Sequence, residues 1–281
     1  AVGMHVLVFV DDFLVVGDDE DLIRRGGLLL EQILDELGLQ YAPHKKRGPA
    51  QAMEFLGLMI SNVKGARCIA LTEKRQAKLM GMLRDWSGRR PVDGSLLSAE
   101  PRDLATLLGN LVFASQVVPG GRTYMQAMLS QFQGLEVDWR RGSVRSTRGA
   151  GAAWRTEGVS LSEGFWRDVE WWLSNLETRN CVSLDARREG TAAICGTDAS
   201  DWGTGQLLWS NGARAEVSLE FTEAERQRSI NWRELLGIVR VVQTFGEELR
   251  GRSVLVEGDN TASLSAAESL SSKAHDSQEL V

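Results

Sequence analysis

The last ninety or so residues carry the pattern that most constrains the fold of this 281-residue chain. Three strand-like runs are followed by a long helical segment, a fourth strand-like run and a second helical segment. These segments are residues 192–195, 203–209, 213–217, 232–250, 253–256 and 261–270. Acidic residues stand at three of the junctions, namely Asp198, Glu234 and Asp259. Strand ends and a helix start can meet at one edge of a sheet, so we expect these acids to converge.

The order of these segments resembles the ribonuclease H fold. Residues 197–205 are similar to the T-D-A-S-x-x-G-x-G pattern of that family. The resemblance implies that Asp198 lies on the first strand, Glu234 in the first turn of the long helix and Asp259 at the end of the fourth strand. It also implies two Mg²⁺ (or Mn²⁺) ions about 4 Å apart, both bridged by Asp198, and hydrolysis of the RNA strand of an RNA–DNA hybrid.

Each of the three acids also has a purely structural interpretation. Residues 231–234 match a capping box with Glu234 at its third helical position. Asp259 could be a turn residue or a helix N-cap, and Asp198 could form an Asx-turn. A shared site accounts for all three acids in the family's order, and we prefer it. His275 and Asp276 look like a candidate final pair. The family's last carboxylate lies on a later helix, however, and we expect the chain to stop short of it.

Two apolar runs near the start of the chain, residues 5–10 and 13–16, flank the adjacent aspartates Asp11 and Asp12. The pattern predicts a β-hairpin with both carboxylates at its tip, where they repel each other unless a cation lies between them. Because the strands are apolar on both faces, we expect the hairpin to be buried. The alternative is an ordinary polar turn.

Three motifs in this region follow one another in the order of a reverse transcriptase palm. Residues 9–12 (Phe-Val-Asp-Asp) resemble the Y-x-D-D box, residues 38–45 the G-F-x-x-N-P-x-K stretch, and residues 54–58 the F-L-G primer-grip hairpin. The resemblance implies that Asp11 and Asp12 hold the metals for nucleotide addition and that Lys45 lies near the incoming triphosphate. It implies that Phe55, Leu56 and Gly57 contact the primer. Alternatively, Lys45 belongs to a solvated basic turn.

The middle of the chain is predicted to be helical, with segments at about 73–86, 98–112, 123–132 and 165–176. Residues 108–122 resemble the thumb-to-connection segment of DIRS-like, tyrosine-recombinase retrotransposons. Such helices are more often core than nucleic-acid contacts. Between them, residues 134–160 combine glycine, serine and scattered arginines, which predicts a flexible linker. The alternative is a basic tether along the template duplex.

The composition is that of ordinary globular protein, with 43% hydrophobic and 25% charged residues. The net charge of −6 counts mildly against a nucleic-acid binder, although metal-dependent nucleases need acidic sites. Three widely spaced cysteines predict no disulfide framework and no zinc site. No signal peptide or run of about 20 apolar residues is visible, so we expect an intracellular protein of the cytoplasm or nucleus without a membrane segment.

These patterns predict an α+β or mixed α/β chain of four parts. They are a partial reverse transcriptase palm (1–63), a helical thumb/connection (64–133), the linker (134–160), and a docking helix with a truncated ribonuclease H-like domain and mixed five-stranded-type sheet (161–281). The predicted function is metal-dependent processing of RNA–DNA hybrids by a retroelement RNA-directed DNA polymerase and endonuclease. The partners would be template-primer and, in the intact polyprotein, deoxynucleoside triphosphates. The alternatives are a non-catalytic nucleic-acid-binding remnant and an interaction domain that binds no nucleic acid.

We predict that this chain alone gives no detectable primer extension. The family needs another aspartate on an earlier strand and the fingers before it, whereas only ten residues precede Asp11. The measurement is incorporation of labelled nucleotide on a template-primer by the purified chain, with Asp11→Ala as the control. Incorporation that Asp11→Ala abolishes would contradict the prediction.

Overall fold

The structure is a computed structural model that describes residues 3–63, 66–92, 95–148, 152–156, 158–184, 193–210, 212–270, 272, 275–278 and 280. It is mixed α/β, with several small sheets and helices between them, as the sequence predicts. The chain divides into two compact units, Ala1–Thr72 and Glu73–Val281.

The first unit consists of a two-stranded sheet, a long helix and a three-stranded antiparallel meander. Its elements are β1 (His5–Phe9), β2 (Asp12–Val16), α1 (Glu20–Glu36), a 3₁₀ turn (Pro43–Lys45), β3 (Ala52–Phe55), β4 (Leu58–Val63) and β5 (Ala66–Leu71). The helix begins where the Asp19 carboxylate accepts a hydrogen bond from the Leu22 amide at 2.7 Å.

The tip of the first hairpin lies one residue earlier than the sequence predicts. Phe9 pairs with Asp12, so Val10 and Asp11 are the two central turn residues and Asp12 is the first residue of β2. Val10 has a φ of +56°. Two-residue hairpin turns need a positive φ at the first central position, and here a valine takes it despite its branched Cβ.

The prediction that this hairpin is buried is wrong. Every residue of β1 is exposed, including Val8 and Phe9, and Val10 in the turn is exposed as well. On β2, Leu14 is the buried residue, with 8% of its surface exposed. The reason is that a sheet of two strands cannot bury its own faces and needs other elements packed against it. In the described part of this unit, α1 packs against β2.

The second unit begins with a helical region whose core is rich in leucine and aromatic residues. Its elements are α2 (Glu73–Gly88), β6 (Ser98–Ala99), α3 (Pro101–Ala114), a 3₁₀ turn (Thr123–Met125), α4 (Gln126–Ser130), β7 (Leu135–Asp138), β8 (Ser143–Ser146), β9 (Val159–Ser160), α5 (Glu163–Asn175) and β10 (Val182–Ser183). Phe165 and Trp172 on α5 are completely buried. The segment predicted as one helix over 123–132 is a 3₁₀ turn and a five-residue helix, because Tyr124 leaves the helical region with a ψ of +37°.

The stretch for which the sequence predicts a flexible linker contains an ordered hairpin. Strands β7 and β8 pair in antiparallel register, and Val144 is completely buried. Val144 also exchanges two backbone hydrogen bonds with Arg155, at 2.9 and 2.8 Å. The few apolar residues between the glycines are therefore enough to anchor the segment. Positions 149–151 and 157 of this stretch lie outside the described residues.

The second unit ends in a mixed four-stranded sheet with a long helix packed on it. Its elements are β11 (Ala193–Ala199), β12 (Gly203–Ser210), β13 (Ala213–Glu220), α6 (Glu223–Arg226), α7 (Ile230–Leu249), β14 (Val254–Glu257), α8 (Thr261–Ser269) and α9 (His275–Gln278). The strand order is β13-β12-β11-β14, antiparallel except for the parallel pair β11–β14. The sheet is mixed as predicted, and the described residues supply four of its five predicted strands. The side chains of His275 and Asp276 lie outside the described part.

Asp168 is a buried acid on α5 that holds the start of α4. Its Oδ2 accepts a hydrogen bond from the Met128 amide at 3.2 Å. Burial raises the pKa of this carboxyl to about 6, and backbone hydrogen bonds from Met128 and Ala127 oppose the rise only in part. The folded state therefore holds a proton at pH values where the unfolded chain, with an ordinary pKa of 3.8, has lost it.

We predict that Asp168 makes the free energy of unfolding fall as pH rises from about 4 to about 6, by up to about 3 kcal/mol. Asp168→Asn keeps an acceptor for the amides but cannot ionise, so it should remove this fall and stabilise the protein at pH 7. Urea unfolding at a series of pH values measures the effect. Asp85→Asn is the control, since Asp85 is exposed and ion-paired with Arg89. An equal pH profile for wild type and Asp168→Asn would contradict the prediction.

Candidate metal centre

Asp198 lies near the end of β11, at the centre of the mixed sheet. It pairs with Gly205 on β12, and its own carboxylate accepts a hydrogen bond from the Ala199 amide at 2.9 Å. This strand geometry differs from the Asx-turn that was its structural alternative. The side chain is exposed. Asp198 is thus presented to solvent by a regular strand.

Glu234 lies on α7, one turn later than predicted. The helix begins at Ile230, and the N-cap is Ser229, whose hydroxyl accepts a hydrogen bond from the Trp232 amide at 3.3 Å. Glu234 is therefore the fifth helical residue, and the capping box suggested by residues 231–234 does not form. Glu234 is only 6% exposed. Because Glu234 does not cap the helix, capping cannot explain why this glutamate is buried.

Asp259 follows β14 and precedes α8 without capping it. The N-cap is Asn260, whose side-chain oxygen accepts hydrogen bonds from the amides of Ala262 and Ser263 at 3.1 and 3.0 Å. The Asn260 amide group donates to the Asn231 side chain at 2.7 Å. This contact joins the start of α8 to the start of α7 and leaves Asp259 exposed.

The structure brings these three acids together. One carboxylate oxygen from each of Asp198, Glu234 and Asp259 lies within 4.8 Å of the others. The convergence follows from the topology, because β11 and β14 are adjacent parallel strands and α7 packs against β11. Two exposed carboxylates and one buried one therefore form a single cluster that opens to solvent.

The electrostatics of the cluster are unfavourable in the absence of a cation. Burial raises the pKa of Glu234 above its ordinary value of 4.5, and the negative charges of Asp259 and Asp198 raise it further. A hydrogen bond from the Ala199 backbone and the positive charge of Arg233 oppose the rise. Carboxylate oxygens are the ligands that Mg²⁺ and Mn²⁺ prefer, so the donor set fits a hard divalent cation.

Two arginines that the sequence did not single out hold the framework of the cluster. The Arg233 guanidinium donates to the Ser200 carbonyl at 2.9 Å and to Asp201 at 3.1 Å, which ties the β11–β12 turn to α7. The Arg240 guanidinium makes two hydrogen bonds to Glu225, at 3.0 and 3.1 Å, and one to the Leu219 carbonyl at 3.2 Å. The sequence signal that could have identified Arg233 and Arg240 was their position on the apolar face of an amphipathic helix, where arginine is unusual.

Glycine at two positions permits the close approach that this framework needs. A Cβ on Gly203 would lie 2.4 Å from the Leu219 carbonyl oxygen, where β12 and β13 meet. A Cβ on Gly237 would lie 2.5 Å from the Thr197 hydroxyl, where α7 packs on β11. Gly203 belongs to the sequence pattern that suggested the fold, whereas Gly237 was not recognised.

The predicted palm residues lie in the first unit. Asp11 and Asp12 are exposed at the first hairpin, and Lys45 is exposed in the 3₁₀ turn. Leu56 and Gly57 are the two turn residues between β3 and β4, with φ values of +52° and +78°. Phe55 is the last residue of β3. Among the described residues, the three-acid group that could hold a metal does not include Asp11 or Asp12.

Comparison with known proteins gives a family match for the last part of the second unit. Residues 190–279 match the family model of the RNase H-like domain found in reverse transcriptase, and the match includes all three clustered acids. A search of curated protein sequences found no significant match.

Solved structures of foamy virus protease-reverse transcriptase are similar to the whole chain. One, in complex with double-stranded DNA, is 17% identical, covers 98% of this chain and has a TM-score of 0.42. Another, in complex with an RNA/DNA hybrid, is 15% identical, covers 97% of this chain and also has a TM-score of 0.42. The chain spans 43% and 33% of the lengths of these two proteins. Within the described residues, no helix is both long and apolar enough to cross a membrane.

We predict that Glu234→Gln stabilises the protein in the absence of divalent cations, by about 1 kcal/mol. The substitution removes the buried charge and its repulsion but keeps an oxygen that can accept the Ala199 hydrogen bond. Thermal unfolding in a chelator measures the effect, and Glu223→Gln, at an exposed acid on α6, is the control. A large loss of stability would instead show that the ionised Glu234 carboxylate holds the fold together.

Proposed function

We propose that the second unit binds divalent cations at Asp198, Glu234 and Asp259 and hydrolyses the RNA strand of RNA–DNA hybrids. The observation that carries this proposal is the convergence of three carboxylates, one of them buried, within 4.8 Å. A buried glutamate beside two other acids costs free energy that an ion-binding role explains. The family match over residues 190–279 supports the same class of activity.

The chain's own residues prepare the site in three ways. Asp198 and Asp259, both exposed, would hold cations where a phosphodiester can reach them. Glu234 would hold a cation from the buried side, and Arg233 keeps the neighbouring turn in place through Ser200 and Asp201. When bound, divalent cations would supply an activated water and neutralise the charge on the leaving 3′-oxygen.

We further propose that the chain is a fragment of a retroelement polyprotein, of the DIRS-like, tyrosine-recombinase type, with a partial reverse transcriptase palm in its first unit. In that protein Asp11 and Asp12 would hold the polymerase metals, Lys45 would lie near the deoxynucleoside triphosphate, and residues 55–57 would contact the primer. The ordered sequence motifs support this proposal. The left-handed backbone of Val10 beside Asp11 also supports it, because strained conformations are concentrated at functional sites.

A second candidate function is a nucleic-acid-binding remnant without catalysis. It is favoured by the exposed apolar side chains of the first hairpin, such as Val8 and Phe9, which offer bases a surface to contact. Metal-dependent hybrid cleavage separates the two candidates, since a remnant would bind the hybrid without cleaving it.

We predict that Mg²⁺ or Mn²⁺ raises the melting temperature of the wild-type protein and that Asp198→Asn abolishes the rise. Cations that bind only the folded state stabilise it by mass action, by about 2.7 kcal/mol at a hundredfold excess over the dissociation constant. Without cations, Asp198→Asn should be at least as stable as wild type, because one repulsion is gone.

The matched control is Asp201→Asn, three residues away in the turn after β11 and 85% exposed, because asparagine keeps an oxygen that can accept the Arg233 hydrogen bond. It removes an equal charge but no proposed ligand, so its metal response should match wild type. Equal metal responses in wild type and Asp198→Asn would mean that the three acids are not ligands. Cleavage of a labelled hybrid in Mg²⁺, lost in Asp198→Asn and kept in Asp201→Asn, tests the activity itself.

A further inference from the structure

The hairpin of β7 and β8 carries a basic surface that the candidate metal centre does not use. Residues 133–156 contain five arginines and only two acids, whereas the chain as a whole has a net charge of −6. The arginines are Arg140, Arg141, Arg145, Arg148 and Arg155. Positive charge is thus concentrated on one short segment of an acidic protein, which is the electrostatic pattern of a phosphate-binding surface.

The turn of this hairpin is built to present two of the arginines. The Asp138 carboxylate accepts hydrogen bonds from the Arg140 and Arg141 amides at 2.9 and 3.1 Å. Gly142, with a φ of +66°, closes the turn by donating to the Asp138 carbonyl at 2.9 Å. The nearest acid, Asp138, is thus bonded to the backbone, and its carboxylate also lies 3.9 Å from the Arg141 guanidinium, although the Arg141 side chain remains 83% exposed.

Two tryptophans lie among the arginines and are also exposed. Trp139 in the turn is 48% exposed, and Trp154 beside β8 is 42% exposed. Arg145 lies over the Trp154 ring at 4.8 Å and also pairs with Glu136 at 2.6 Å, so it holds that indole in position. Indoles next to guanidinium groups suit unpaired bases, which stack on the rings while the arginines contact the phosphates.

The surface is rigid enough to act as a platform. Val144 and Ser143 of β8 are buried, and backbone hydrogen bonds to Arg155 attach the hairpin to the segment that carries Trp154. A fixed platform loses less conformational entropy on binding than a flexible tail would.

We propose that the surface formed by Trp139, Arg140, Arg141, Arg148 and Trp154 binds single-stranded nucleic acid. This proposal rests on the proposed function in one respect, namely that the partner is an RNA–DNA hybrid. The unpaired extension of that hybrid is the part that this surface would bind. The platform would then hold the extension while the metal centre acts on the paired part.

The test compares two fluorescein-labelled RNA–DNA hybrids, one blunt and one with a single-stranded DNA extension of about ten nucleotides. Fluorescence anisotropy in Ca²⁺, in place of Mg²⁺, gives both affinities at several salt concentrations. For the wild type, the extended hybrid should bind at least about tenfold more tightly than the blunt one. Equal affinities, or no binding of either hybrid, would overturn the proposal.

The variants identify the surface. The double variant Arg140→Ser, Arg141→Ser should remove most of the extension's benefit, that is, most of the ratio between the affinities for the extended and the blunt hybrid. It should also reduce the slope of log affinity against log salt concentration for the extended hybrid by about 1.4. Trp139→Ala should reduce the benefit about fivefold without changing that slope. The matched control is Arg214→Ser with Arg250→Ser, which removes the same charge at exposed positions on β13 and after α7. Equal effects of the two double variants would overturn the proposal.

Two further results separate this proposal from the proposed function. Asp198→Asn should keep the full benefit of the extension, because the platform contains no proposed metal ligand. Cleavage of the blunt hybrid in Mg²⁺ should be the same for the wild type and the Arg140/Arg141 double variant. If the wild type binds the extended hybrid more tightly than the blunt one but cleaves neither, the proposed hydrolase activity alone is refuted. If it cleaves the hybrids but binds both equally tightly, the proposed platform alone is refuted.

Discussion

Repulsion among three carboxylates is the unfavourable interaction that the scaffold at the end of the second unit has to overcome. Asp198, Glu234 and Asp259 come from a central strand, a helix and the loop after a neighbouring strand, and Glu234 is buried. Burial raises the pKa of Glu234, and the negative charges of Asp259 and Asp198 raise it further, so the folded chain holds these charges together at a cost. A cation between them would reverse the sign of the interaction. The fold thus holds an unfavourable arrangement of charges that a bound divalent cation would relieve.

The surrounding structure supplies the interactions that keep the acids in place. Arg233 joins α7 to the turn after β11, and Asn260 joins the start of α8 to the start of α7. Arg240 connects α7 to the end of β13 and to α6. Close packing of Gly237 against Thr197 sets the distance between helix and sheet. Each contact fixes one of the elements that carry an acid, so the site is positioned by the scaffold rather than by the acids themselves.

Much of this unit could be predicted from the sequence because strand and helix periodicity are local signals. The order of elements and the three acids were found in this way, whereas Arg233, Arg240 and Gly237 were missed because their roles depend on contacts distant in sequence. The ordered hairpin in the predicted linker was missed because its stability rests on Val144, the buried apolar side chain of β7 and β8, which lies among glycines and arginines. The burial of the first hairpin was predicted wrongly. Apolar strands indicate that both faces of a sheet favour burial, but they do not indicate whether other elements pack against those faces.

The central claim is that the three acids are metal ligands, and an anomalous-difference map tests it most directly. Crystals of the chain soaked in Mn²⁺ and measured at the manganese edge would locate every bound ion. The account predicts a peak in contact with carboxylate oxygens of Asp198, Glu234 and Asp259, and its absence in Asp198→Asn crystals grown the same way. Manganese bound elsewhere, with no peak at the three acids in the wild type, would contradict it.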